Sequence, residues 1–146
     1  MRLSAILVLL VLANSACAAA KTEETVEQLV ARAQSARLQD QPELYIRAAE
    51  KQLAAADKSY QAAQAEDGLK AVHDVVDYSE RATDAADKSG KALKHTEITL
   101  RKMAAKLRDM KHALAFEDQA PVQQASDRLE QLRTGLLTRM FGKGEK

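Results

Sequence analysis

Apolar positions in this chain recur at steps of three and four, the spacing that lines one face of an α-helix. Val26, Leu29, Val30, Ala33 and Ala36 predict a first helix over about residues 22–38. Glu23 and Glu24 fall in its first turn, where the helix dipole favours anions. Asp40-Gln41-Pro42-Glu43 then combines a cap residue, an early proline and a glutamate three residues after the cap, a helix-start signature. The second helix would run to about Glu66 on a seam of Ile46, Ala49, Leu53, Ala56, Tyr60 and Ala63, with Asp67-Gly68 as its closing turn.

The third segment is the most regular. From Val72 a heptad seam continues through Val75, Ser79, Ala82, Ala86, Ser89, Leu93, Thr96, Leu100, Met103, Leu107, Met110 and Leu114. This register predicts one long helix over about residues 69–114, roughly 70 Å at 1.5 Å per residue. Gly90 is its weak point, at a cost of only about 1 kcal/mol in a helix. The middle of the seam carries Ser and Ala, so backbones must approach closely there. Residues 115–120 read as a loop. Pro121 then opens a last helix on Val122, Ala125, Leu129, Leu132 and Leu136.

Length matching places the second helix antiparallel to the first half of the long segment and the last helix antiparallel to its second half. The first helix would cover the second. The expected fold is therefore all-α: an elongated antiparallel helical bundle or coiled coil of about four helices. Composition agrees, with aromatics at 3%, five glycines and two prolines arguing against sandwiches, barrels and doubly wound sheets.

The N-terminus carries an address. Arg2, nine residues from Ala5 to Ala13 dominated by large aliphatics, and the small-residue tail Ala16-Cys17-Ala18-Ala19-Ala20 have the layout of a secretory signal peptide. The run is too short to span a bilayer, which takes roughly 20 apolar residues. Residues 1–20 are thus expected to be removed on export to a periplasmic or extracellular location. Residues 21–141 would form one domain, and residues 142–146 a flexible basic tail. Ser15-Ala16-Cys17 resembles the end of a bacterial lipoprotein signal, in which the cysteine is lipidated, although Asn14 stands where that pattern has an aliphatic residue. If Cys17 leaves with the leader, the mature chain has no thiol chemistry.

Charge is balanced in sum, with 22 basic and 21 acidic side chains, but not along the chain. Residues 21–67 hold six basic and nine acidic groups, and residues 68–146 fifteen and twelve. Acid-before-base pairs at i,i+4 account for part of this: Asp77–Arg81, Asp84–Lys88, Asp87–Lys91 and Glu97–Arg101. The stretch 91–112 stands out. Lys91, Lys94, Arg101, Lys102, Lys106, Arg108 and Lys111 face only Glu97 and Asp109, and Lys94, Arg101 and Arg108 repeat every seven residues. Such a face suits anionic lipid headgroups, a polyanionic envelope polymer or an acidic partner helix. It also fits a solvated face balanced by the acidic second helix. Nucleic acid is disfavoured by export and by the lack of stacking aromatics.

Catalytic patterns are not visible. No Gly-x-Ser-x-Gly turn and no glycine-rich phosphate loop occur, and no small-molecule substrate or cofactor is indicated. The acidic row Asp77, Glu80, Asp84 and Asp87 lies among bases that would pair with it. His73–Asp77 and Asp109–His112 have the spacing of single metal-ligand pairs, but di-iron bundles need such a motif twice plus two further glutamates. The layout resembles that of small exported helical proteins of bacterial envelopes. The expected role is non-enzymatic binding, through the basic face or through an exposed coiled-coil seam that self-associates. A lipid-anchored structural role through Cys17 is the alternative. A metal-binding bundle using His73, His95 or His112 is the remote one.

Overall fold

The structure is a computed structural model describing residues 23–142. The expected leader 1–20, with Cys17, and residues 143–146 of the expected tail lie outside the described residues. The described chain forms five α-helices: α1 (Val26–Ser35), α2 (Gln41–Gln61), α3 (Ala65–Ser89), α4 (Leu93–His112) and α5 (Phe116–Phe141). A short 3-10 turn, Leu38–Asp40, links α1 to α2.

Local chemistry moves several boundaries. α1 begins later than the expected residue 22 because Thr25 caps it: the Thr25 hydroxyl accepts from the Gln28 amide at 3.2 Å, and the Gln28 side-chain oxygen accepts from the Thr25 amide at 2.9 Å. Glu23 and Glu24 therefore precede the helix and pair outward with Lys51, Arg32 and Arg47. Asp40 does not cap α2 with its side chain, which instead accepts from Arg37 at 2.9 Å. α2 stops at Gln61, and Ala63 takes a left-handed conformation in the following turn. Asp67-Gly68 is thus not the turn but the first turn of α3. Gly68 is needed there for close approach, since a Cβ would lie 2.8 Å from the Tyr60 ring. α5 starts at Phe116 rather than Pro121. The proline removes one early helical bond, and the residue whose carbonyl loses it, Glu117, is exposed to water.

The largest correction concerns the long helix. Residues 69–114 do not form one rod; the chain reverses at Gly90–Lys91–Ala92. Gly90 is left-handed (φ 66°) and closes α3 with its amide on the Ala86 carbonyl at 2.9 Å, while Ala92 is left-handed at φ 57°. The Ser89 hydroxyl accepts the Lys91 amide at 3.2 Å and donates to the Ala85 carbonyl at 2.7 Å. Reversal is proved by cross-helix pairs. Lys106 on α4 meets Asp57 on α2 at 2.8 Å. On a straight helix it would lie roughly 55 Å beyond that point.

The result is a bundle of two antiparallel hairpins. Gln52 and Asp74 link α2 to α3 at 2.8 Å. Ser126 donates to the Ala104 carbonyl at 3.0 Å, and Arg133 meets Glu97 at 2.7 Å, linking α5 to α4. Arg128–Glu80 (2.7 Å) and Arg139–Asp87 (2.9 Å) hold α5 beside α3 in parallel. Around the bundle the order is α2, α3, α5, α4, and α1 lies against α2. The starts of α2 and α4 and the ends of α3 and α5 share one end of the bundle, the hinge end.

The heptad seam is buried as its spacing implies: Val72, Val75, Ser79, Ala82 and Ala86 from α3, and Thr96, Leu100, Met103, Leu107 and Met110 from α4. It is the core of the protein itself, not an exposed seam. Within it the hydroxyls of Ser79 and Thr96 are fully buried without a hydrogen-bond partner. A buried unpaired hydroxyl costs about 1–3 kcal/mol. Thr96→Val keeps the shape and removes that cost, so its urea midpoint should rise by the equivalent of about 1 kcal/mol at unchanged slope. Leu107→Ala, at a fully buried position, should instead lose about 2–5 kcal/mol.

Candidate functional site

The basic face centres on α4, and the structure divides its seven bases into two groups. Lys106 turns to Asp57 of α2 at 2.8 Å, Arg108 to Glu130 of α5 at 3.1 Å, and Lys111 to the Gln123 side chain at 2.7 Å. Lys91, Lys94, Arg101 and Lys102 are exposed and make no ion pair among the described residues. Lys91 sits in the hinge. The other three surround Ile98, a half-buried residue one turn from each of them on the outward side of α4. The heptad stripe Lys94–Arg101–Arg108 is real as a register, but α5 takes its last member.

Arg101 is singular. The described residues include nine arginines, and eight of them are paired with carboxylates. Arg101 is the exception. Its expected partner, Glu97, is 7% exposed and faces α5, where Arg133 holds it. The expected Asp87–Lys91 pair is also replaced. The hinge removes Lys91 from helical register, and Asp87 pairs with Arg139. The other two expected pairs, Asp77–Arg81 and Asp84–Lys88, form at 3.0 and 2.7 Å.

Behind the face runs a chain of charges, Arg108–Glu130–Arg133–Glu97, along the α4–α5 contact. Burial works against the Glu130 charge, but hydrogen bonds from Arg108 and Arg133 outweigh it and hold the carboxyl below the usual glutamate range. Hydrogen bonds to Glu97 and Glu130 correspondingly raise Arg133.

The remaining candidates do not converge. The acidic row is neutralised member by member, by Arg81, Arg128, Lys88 and Arg139. His73, His95 and His112 are exposed on two helices, and among the described residues no three of His, Cys, Asp or Glu are grouped to hold a metal. Helical spacing did not reveal the exposure of Leu38 (44%), Phe116 (88%) and Phe141 (74%). Leu38 and Phe141 lie at the hinge end and Phe116 at the opposite end. Phe141 ends an apolar cluster with Leu136, Leu137 and Met140. Compared with family models, curated proteins and solved structures, the chain shows no match.

Arg133→Ala would strand Glu97 in a mostly buried position and should lower stability clearly, whereas Arg101→Ala should stay within about 0.5 kcal/mol. Chemical denaturation of the two variants compares them directly. Glu130 holds its charge more firmly folded than unfolded. Its contribution is therefore full above the ordinary glutamate value of about 4.3 and is lost as pH falls below it. Stability measured from about pH 6 to pH 3 should decline less in Glu130→Gln than in the parent, across the acid part of that range.

Proposed function

We propose that the chain is an exported, non-enzymatic helical bundle that acts by binding, and that its surface is the outward face of α4. The observation that carries this reading is Arg101, the one described arginine without a carboxylate, flanked by Lys94 and Lys102 around half-buried Ile98. Three uncompensated bases around an apolar spot suit an anionic lipid surface, where headgroups meet the charges and Ile98 meets the headgroup boundary. The signal-like leader supports export, and an envelope membrane would then be within reach. A second reading rests on Ser15-Ala16-Cys17: a lipid on Cys17 would anchor the same bundle to a membrane. The mass of the mature N-terminus separates the two readings.

Vesicle sedimentation tests the surface. The protein should bind vesicles containing phosphatidylglycerol and not neutral ones, with affinity falling as salt rises. Each base near such a surface is worth about 1 kcal/mol, so K94A/R101A/K102A should weaken binding roughly a hundredfold. Failure of the parent protein to bind, or undiminished binding by the triple variant, overturns the proposal. Binding instead to an acidic protein would assign the face to that partner class.

A further inference from the structure

The bundle is two hairpins joined by three residues, Gly90–Lys91–Ala92. Ala92 occupies a left-handed conformation that an L-residue with a Cβ rarely adopts, in a connection of minimal length. Straightening it would relieve that strain and place Gly90 in a helix, a penalty of comparable size. The seam steps across the junction without losing register, through Ala86, Ser89, Leu93 and Thr96. A sharp turn between two helices does not require that continuity. A helix running from Ala65 to His112 does.

We infer that a second copy of this chain can complete the bundle by exchange: Gly90–Ala92 straightens, α3 and α4 become one helix, and the α4–α5 hairpin docks on the α2–α3 hairpin of the partner copy. The contacts between hairpins away from the turn then re-form between chains, including Asp57–Lys106, Glu80–Arg128 and Asp87–Arg139. Short strained hinges favour such exchange.

An independent observation points the same way. A helix continuing straight through the junction leaves through the hinge end, so the two completed bundles meet hinge end to hinge end. That end carries Leu38 and Phe141, two of the three large apolar side chains exposed among the described residues. Its flanking acids Asp40, Asp84 and Asp87 are already neutralised by Arg37, Lys88 and Arg139. The two long helices would pass each other near Ser89, Gly90 and Ala92, where small side chains permit close approach. The third exposed apolar side chain, Phe116, is at the far end and stays in water.

Refolding at high protein concentration, followed by size-exclusion chromatography with light scattering, tests the exchange. A Cys17→Ser chain carrying D57C/K106C is then treated with a short bis-maleimide. In the monomer fraction the link should stay within one chain; in the dimer fraction it should join two chains and double the mass on a denaturing gel. Gly90→Ala penalises the turn and favours the helix, and should raise the dimer-to-monomer ratio at least about tenfold. Ala92→Gly relieves the turn and should lower it. The chain has no tryptophan, so Phe141→Trp gives a single emission that should shift to the blue in the dimer, while Phe116→Trp should not shift. A dimer linked only within chains, or no dimer even for Gly90→Ala, overturns the inference. Vesicle binding is measured separately and is unaffected by this outcome.

Discussion

At Gly90–Lys91–Ala92 the chain holds two left-handed residues on either side of one lysine, and within a single chain the contacts between the hairpins require that turn. The strain at Ala92 is about 1–2 kcal/mol. Against it stands the burial of Leu100, Leu107, Leu129 and Leu136 in a shared core, each worth about 1.5–3 kcal/mol when withdrawn from water. Burial wins, but only because the α2–α3 and α4–α5 seams close on each other. With the turn straightened and no partner, each hairpin would present that seam to solvent.

Periodicity identified which residues would be buried and was silent on what they would face. Val72 through Met110 are inward on the register read from the chain, yet a heptad seam looks the same whether the helix runs on or doubles back. The signal for doubling back was local and small. Ser89-Gly90 supplies a hydroxyl to catch the next amide and a residue free to turn left-handed. By helix propensity alone Gly90 is tolerable, because propensity omits the tertiary contacts that the turn makes available. Asp67-Gly68 erred in the opposite sense. Its glycine serves close packing against Tyr60, a long-range requirement that turn statistics mistake for a bend.

Charge shows the same division. All seven bases of the candidate face were legible, but which would be neutralised was not, since that depends on helices distant in sequence. Along one helix, Glu97 points to Arg101 and Asp87 to Lys91. In three dimensions α5 brings Arg133 to the first acid and Arg139 to the second. A partner 36 or 52 residues away cannot be read from i,i+4 spacing.

This substitution links the core to the surface. A straight helix without α5 would leave Asp87 and Glu97 to compensate Lys91 and Arg101. Folding the hairpins together diverts both acids, and the two bases remain charged and exposed. The proposed surface is therefore a product of closure, generated when α5 docks, and not a property of α4 alone. It does not depend on which chain supplies α3. Arg133 and Glu97 belong to the same hairpin, so Arg101 stays uncompensated in a single bundle and in an exchanged pair alike. Of the two diverted acids, only Asp87 is held across the hairpins, by Arg139, and an exchanged pair restores that contact with the partner copy. Separation of the hairpins without exchange would release Asp87 beside a straightened hinge, where it could reclaim Lys91. Exposure of Lys91 therefore follows the joining of the hairpins, while exposure of Arg101 follows the α4–α5 hairpin itself.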